Sequence, residues 1–206
     1  MKMDKEDRKK INAVIRYAKS LVNVPYRWHR EGDQIQENDK FWAKNDSHVS
    51  REEIDQEDKC IVCTGLINLM RRYVGLSIPG LDGSLDDIGG KEFPGTTGIW
   101  FAYLDRKGRL KKLNVKKKYP KGTLLLRDFE DIENQGHVAV IIDEKGDSIL
   151  DQRIIHAYAK LPYKGSEDVK NVGKVGTMKF TSSHYYNTED GYYTHVCLPE
   201  NWLLKN

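Results

Sequence analysis

The apolar residues change their spacing partway along the chain, and this limits the possible folds more than any other feature. Ile11, Val14, Ile15, Ala18, Leu21 and Val22 recur at helical spacing, so residues 5–22 are read as a helix with one apolar stripe. Leu66, Ile67, Met70, Tyr73 and Val74 repeat that pattern from Thr64 onward, and Gly75 stands where a helix stop belongs. Beyond Gly98 the apolar residues gather instead in short runs, at 99–104, 110–115, 123–126, 137–142, 153–159 and 192–198, which read as strands. Helices followed by strands predict an α+β fold, with N-terminal helices packed on a central antiparallel sheet.

With 206 residues the chain suits one domain, and its 38% hydrophobic content is enough for a sizeable core. No apolar stretch approaches the roughly 20 residues a membrane-spanning helix needs. The first ten residues are mostly charged and lack the apolar core of a secretory signal. Three cysteines, Cys60, Cys63 and Cys197, are too few and uneven for a disulfide framework, which predicts reduced thiols. The expected setting is therefore cytoplasmic, or release without a signal peptide. Two segments look inserted, at about 30–59 and 75–121, and the chain continues as an extension from about 160. The first is acidic, aperiodic and partly helical near 50–56, long enough to serve as a lid over a cleft. In the second, Gly89-Gly90-Lys91 lacks the glycine at position 85 that a phosphate-binding loop requires.

Charge is unevenly distributed. Nine basic residues and no acidic one lie between Arg106 and Lys121, whereas Glu31 to Asp58 holds ten acidic residues against Lys40, Lys44 and Arg51. Solvated surface explains such runs, and the basic one at 106–121 is also a candidate contact for an anionic polymer. With Tyr119 its lone aromatic, nucleic acid is a poor candidate. No cofactor motif is present. Zinc at Cys60 and Cys63 would need two further ligands, which only Cys197 and scattered histidines offer.

The candidate chemistry starts at Cys63. A thiol at a helix start faces unpaired N–H groups and the positive end of the helix dipole, which favour thiolate. Thr64 is small, and Gly65 clears space beside the sulfur. His137 opens the run His137-Val-Ala-Val-Ile-Ile142, and His156 lies in Ile154-Ile-His-Ala-Tyr158. A hairpin turning at Gly146-Asp147 sets His137 directly opposite His156, close enough for one ring to orient the other. Together with Cys63 they compose a nucleophile, base and orienter.

These residues, in this order, resemble NlpC-type cysteine peptidases, papain-like hydrolases that cut peptidoglycan stem peptides. The similar segments are Pro25-Tyr26-Arg27-Trp28, Val62-Cys63-Thr64-Gly65-Leu66, Lys121-Gly122-Thr123-Leu124, Gly136-His137-Val138-Ala139 and Ile155-His156-Ala157. The resemblance implies a single papain-like domain over 1–206, with Cys63 as nucleophile, His137 as general base and then acid, and His156 orienting His137. It implies Tyr26 and Thr64 beside the oxyanion and substrate, with the Cys63 N–H as an oxyanion donor. A peptide or peptidoglycan-like substrate follows, without cofactor, metal or membrane partner. Where the family carries an aspartate before the cysteine, a serine after it and an aspartate in the next strand, this chain has Val62, Thr64 and Thr123. His29-Arg30 stand for its Gly-Gly. The same three residues would also serve an acyltransferase or thioesterase, and a non-catalytic binding module is a third class.

Overall fold

The computed structural model describes residues 3–26, 49–56, 60–83, 85–91, 93–127, 136–158, 173–180 and 193–204. Helix α1 (Lys5–Ser20) begins at a reciprocal cap, in which Asp7 N–H donates to Asp4 at 2.8 Å and Asp4 N–H donates to Asp7. It buries Ile11, Val14, Ile15 and Ala18 of the stripe seen in the sequence, together with Tyr17. Helix α2 (Arg51–Gln56) is the helical turn expected in the acidic segment. It is tied to α1 by Arg51, which donates to the Val22 carbonyl at 2.8 Å, and by Ile54, which is fully buried. Of the segment 30–59 expected to serve as a lid, residues 30–48 and 57–59 lie outside the described residues.

Helix α3 (Cys63–Tyr73) is buried along most of its length. It stops where Gly75, at φ +76°, takes the left-handed turn: Gly75 N–H donates to Arg72 and Leu76 N–H to Arg71. Residues 99–104, read as a strand, belong instead to helix α4 (Thr97–Arg106). Its end is the same motif, with Gly108 N–H to Asp105, Arg109 N–H to Leu104, and Gly108 at φ +61°. Ile99, Trp100, Tyr103 and Leu104 face the core on successive turns, so burial on one helical face decided the matter.

Seven strands follow, β1 (Pro25–Tyr26), β2 (Lys111–Lys112), β3 (Leu124–Arg127), β4 (His137–Ile141), β5 (Arg153–Tyr158), β6 (Gly173–Lys179) and β7 (His195–Cys197). They form one antiparallel sheet in the order β1-β6-β5-β4-β3-β7-β2. The fold is α+β, with four helices among the described residues. Residues beyond 160 supply two of these strands. The sheet has two covered faces: Val138, Val140 and Ile155 pack against the helices, while Ala139, Ile141 and Ile154 pack with Tyr119, Phe180 and Tyr193. Burial on both sides explains why central strand β4 is apolar without interruption. Among the described residues no helix is long and apolar enough to cross a membrane.

Candidate active site

The site lies where α3 starts against the opening of β4. Val62 occupies the N-cap of α3 in extended conformation and offers no side-chain oxygen, and no acidic residue sits in the first turn. The first N–H groups of the helix are therefore left for the sulfur. The backbone N–H groups of Cys63, Thr64 and Val138 and the Thr97 hydroxyl all act on the sulfur in the direction that favours thiolate.

The Val138 contact follows from the sheet. Ile142 N–H donates to Arg153 of β5, so even-numbered residues of β4 direct their N–H groups toward β5. The β4–β5 ladder contains the pairs Val140 with Ile155 and Ile141 with Ile154. Val138 lies beyond these pairs, and its amide acts on the Cys63 sulfur.

His137 Nε2 and His156 Nδ1 are 3.1 Å apart, with the rings nearly perpendicular. Both are buried, His156 completely. Tyr158 stacks on His156 at 4.6 Å, and Tyr193 lies 6.0 Å from His137. Gly176, opposite His156 on β6, makes room for Tyr158, because a Cβ there would come within 2.8 Å of that ring.

The expected direct pairing of His137 with His156 is corrected by the register, which is displaced by two residues and pairs Val140 with Ile155 and Ile141 with Ile154. The connection is not a tight turn at Gly146-Asp147. A short 3-10 helix, Ile149–Asp151, capped by Ser148, widens it, and the buried Gln152 side chain holds it closed through Tyr119 and Asp143. An even displacement keeps both rings on the same face, where diagonal neighbours still reach each other. By alternation both belong with Ala139, Ile141 and Ile154, whereas Cys63 packs with the helix-side cluster. By alternation the imidazoles thus lie on the face of β4 away from the helix-side cluster that Cys63 joins, and the Val138 amide, next in sequence to His137, acts on the sulfur.

Burial sets the protonation states. The helix N–H groups, Thr97 and Val138 all favour thiolate, as anticipated for a helix start. Enclosure of the sulfur outweighs them and pushes the Cys63 thiol above its ordinary value, which corrects the expected shift. Burial, then His156 and Arg127, holds His137 well below the usual imidazole range; burial alone pushes His156 down to about 3. Burial thus favours the neutral thiol and the neutral imidazoles.

Tyr26 lies on edge strand β1, half-buried against the helix-side cluster. Ile61 N–H donates to Pro25 at 2.9 Å, joining that strand to the segment entering α3. Thr64 contributes its N–H, and its side chain is buried. Among the described residues Cys60, Cys63 and Cys197 form no disulfide.

Thr97 was not foreseen. It is the first residue of α4 and is held by a buried relay, in which Asn68 of α3 donates to Gly95 and accepts from Trp100 of α4 at 2.7 Å. The readable signals were Thr96, suited to an N-cap, and Gly108, a helix stop. Compared with known proteins, the chain matches no family model and no curated protein.

Proposed function

We propose that this chain is a cysteine hydrolase of the papain-like NlpC type, cutting a peptide or isopeptide bond through a covalent acyl-enzyme. The observation that carries the reading is a thiol at the start of α3, acted on by the Val138 amide of β4, together with a buried, hydrogen-bonded histidine pair that includes the neighbouring His137.

His137 uses Nε2 toward His156, so its Nδ1 is the nitrogen for the thiol proton. In that arrangement Nε2–H donates to His156 Nδ1, and His156, neutral because it is buried, orients the ring without competing for the proton. As Sγ bonds to the substrate carbonyl carbon, the thiol proton passes to His137 and the carbonyl electrons move to oxygen. The Cys63 N–H at the start of α3 stabilises that oxyanion. Collapse of the intermediate breaks the C–N bond, with His137 returning the proton to the leaving amine. Water, deprotonated by His137, then releases the acid and restores the thiol.

Val62 bears on the substrate. An apolar residue at the cap position cannot pair with a substrate ammonium, whose unpaired burial is costly. The chain should therefore either accept peptides with a blocked N-terminus at that subsite or supply the anion from elsewhere, with the acidic segment Glu52 to Asp58 the nearest source in sequence.

The test is alkylation of Cys63 by a thiol-reactive probe at neutral pH, followed by mass spectrometry, in the wild type and His137→Ala. Markedly slower labelling of the variant is expected. Equal rates would remove the catalytic reading.

A further inference from the structure

A groove of about 790 Å³ opens beside edge strand β2, lined by Lys112, Lys116 and Lys117 with Leu113, Val115 and Tyr193. All three lysines are exposed, and the lining includes no carboxylate. Other cations of the basic run are already engaged: Arg106 forms a bidentate pair with Asp87, Lys107 lies over Tyr103, and Arg109 donates to the Asn201 carbonyl. Among the described residues no ion pair involves the lysines of the groove. They present concentrated positive charge over an apolar floor of half-buried Leu113 and Val115.

The groove is physically joined to the histidines. Tyr193 forms part of its wall, and the same ring lies 6.0 Å from His137. We propose that this groove binds a run of acidic side chains in the peptide that the Cys63 site cuts, a proposal that rests on the hydrolase reading above. Carboxylates meet the lysine ammonium groups, and the methylenes of glutamate cover Leu113 and Val115. From β4 to β2 the sheet steps across three strand spacings, about 14 Å, which an extended peptide spans with about four residues. The acidic run therefore falls about four residues from the scissile bond. A nucleic acid is disfavoured because Tyr193 is only 2% exposed and offers no face for base stacking.

Binding is measured separately from catalysis, by fluorescence anisotropy of labelled N-acetyl hexaglutamate on the Cys63→Ser protein at low and high salt. Lys112→Gln/Lys116→Gln/Lys117→Gln is expected to weaken binding roughly tenfold. Lys5→Gln/Lys9→Gln/Lys10→Gln on α1, with the same change in charge, should leave it unchanged. Equal loss in both triples, hexaglutamine binding as tightly as hexaglutamate, or tighter binding of an oligothymidylate displaced by the groove triple would each overturn the proposal. Failed hexaglutamate binding alongside His137-dependent labelling of Cys63 rejects the groove alone. Groove-dependent binding alongside His137-independent labelling keeps the acidic-peptide surface and rejects the hydrolase.

Discussion

Thr97 shows how much of the site rests on residues without a motif of their own. Its hydroxyl favours the Cys63 thiolate, and hydrogen bonds to charged groups are worth about 1.5–3 kcal/mol. Thr97→Val keeps the shape and removes the donor, so the thiol should titrate about one pH unit or more higher. The check is the pH dependence of Cys63 alkylation, whose midpoint should already exceed that of an ordinary cysteine in the wild type. Cys63, His137 and His156 were legible because each has a chemical type and a position in a run. Their protonation states were not, because enclosure depends on what the whole fold packs around them. A helix-start argument correctly identified forces that favour the thiolate and missed the larger one opposing them.

At the level of elements, aromatic and β-branched content in 99–104 suggested a strand, while the Thr96 cap and Gly108 stop were the better guides. Strand β6 escaped notice because Gly173, Lys174 and Gly176 interrupt its apolar pattern, yet it pairs with both β1 and β5. The histidine register was misplaced for a similar reason: the 3-10 helix and buried Gln152, rather than a two-residue turn, set the hairpin. Two glycines separate backbone effects from packing effects. At Gly108 a Cβ meets nothing within 4 Å, so Gly108→Ala should cost about 1 kcal/mol through its left-handed backbone alone. At Gly95, also left-handed, a Cβ would come within 2.3 Å of the Asn68 side chain. Gly95→Ala should therefore destabilise more and also slow Cys63 alkylation by moving Thr97. Urea unfolding and labelling rates, measured on both variants, check the contrast.

For the whole molecule, the order of helices then strands made the α+β architecture readable, and no local pattern announced where β1, β6 and β7 would join the sheet. The buried histidines also give the fold a pH dependence. Their folded-state values lie below that of the unfolded chain, near 6.5, so the unfolded chain binds more protons in the interval between. Stability should be full above pH 6.5 and fall as pH decreases toward about 3, by up to about 1.4 kcal/mol per pH unit for His156. Urea midpoints at pH 7 and pH 5 should differ, and His156→Asn should flatten that slope. An unchanged slope in the variant would refute the assignment. The Val138 amide, beyond the last β4–β5 pair, has a different kind of consequence. It acts on the Cys63 sulfur, so the state of the thiol is coupled to the end of the central strand. Alanine at position 63 would remove that acceptor and alter the strand end along with the thiol. Serine keeps an acceptor there, and so provides the substitution that disturbs the scaffold least.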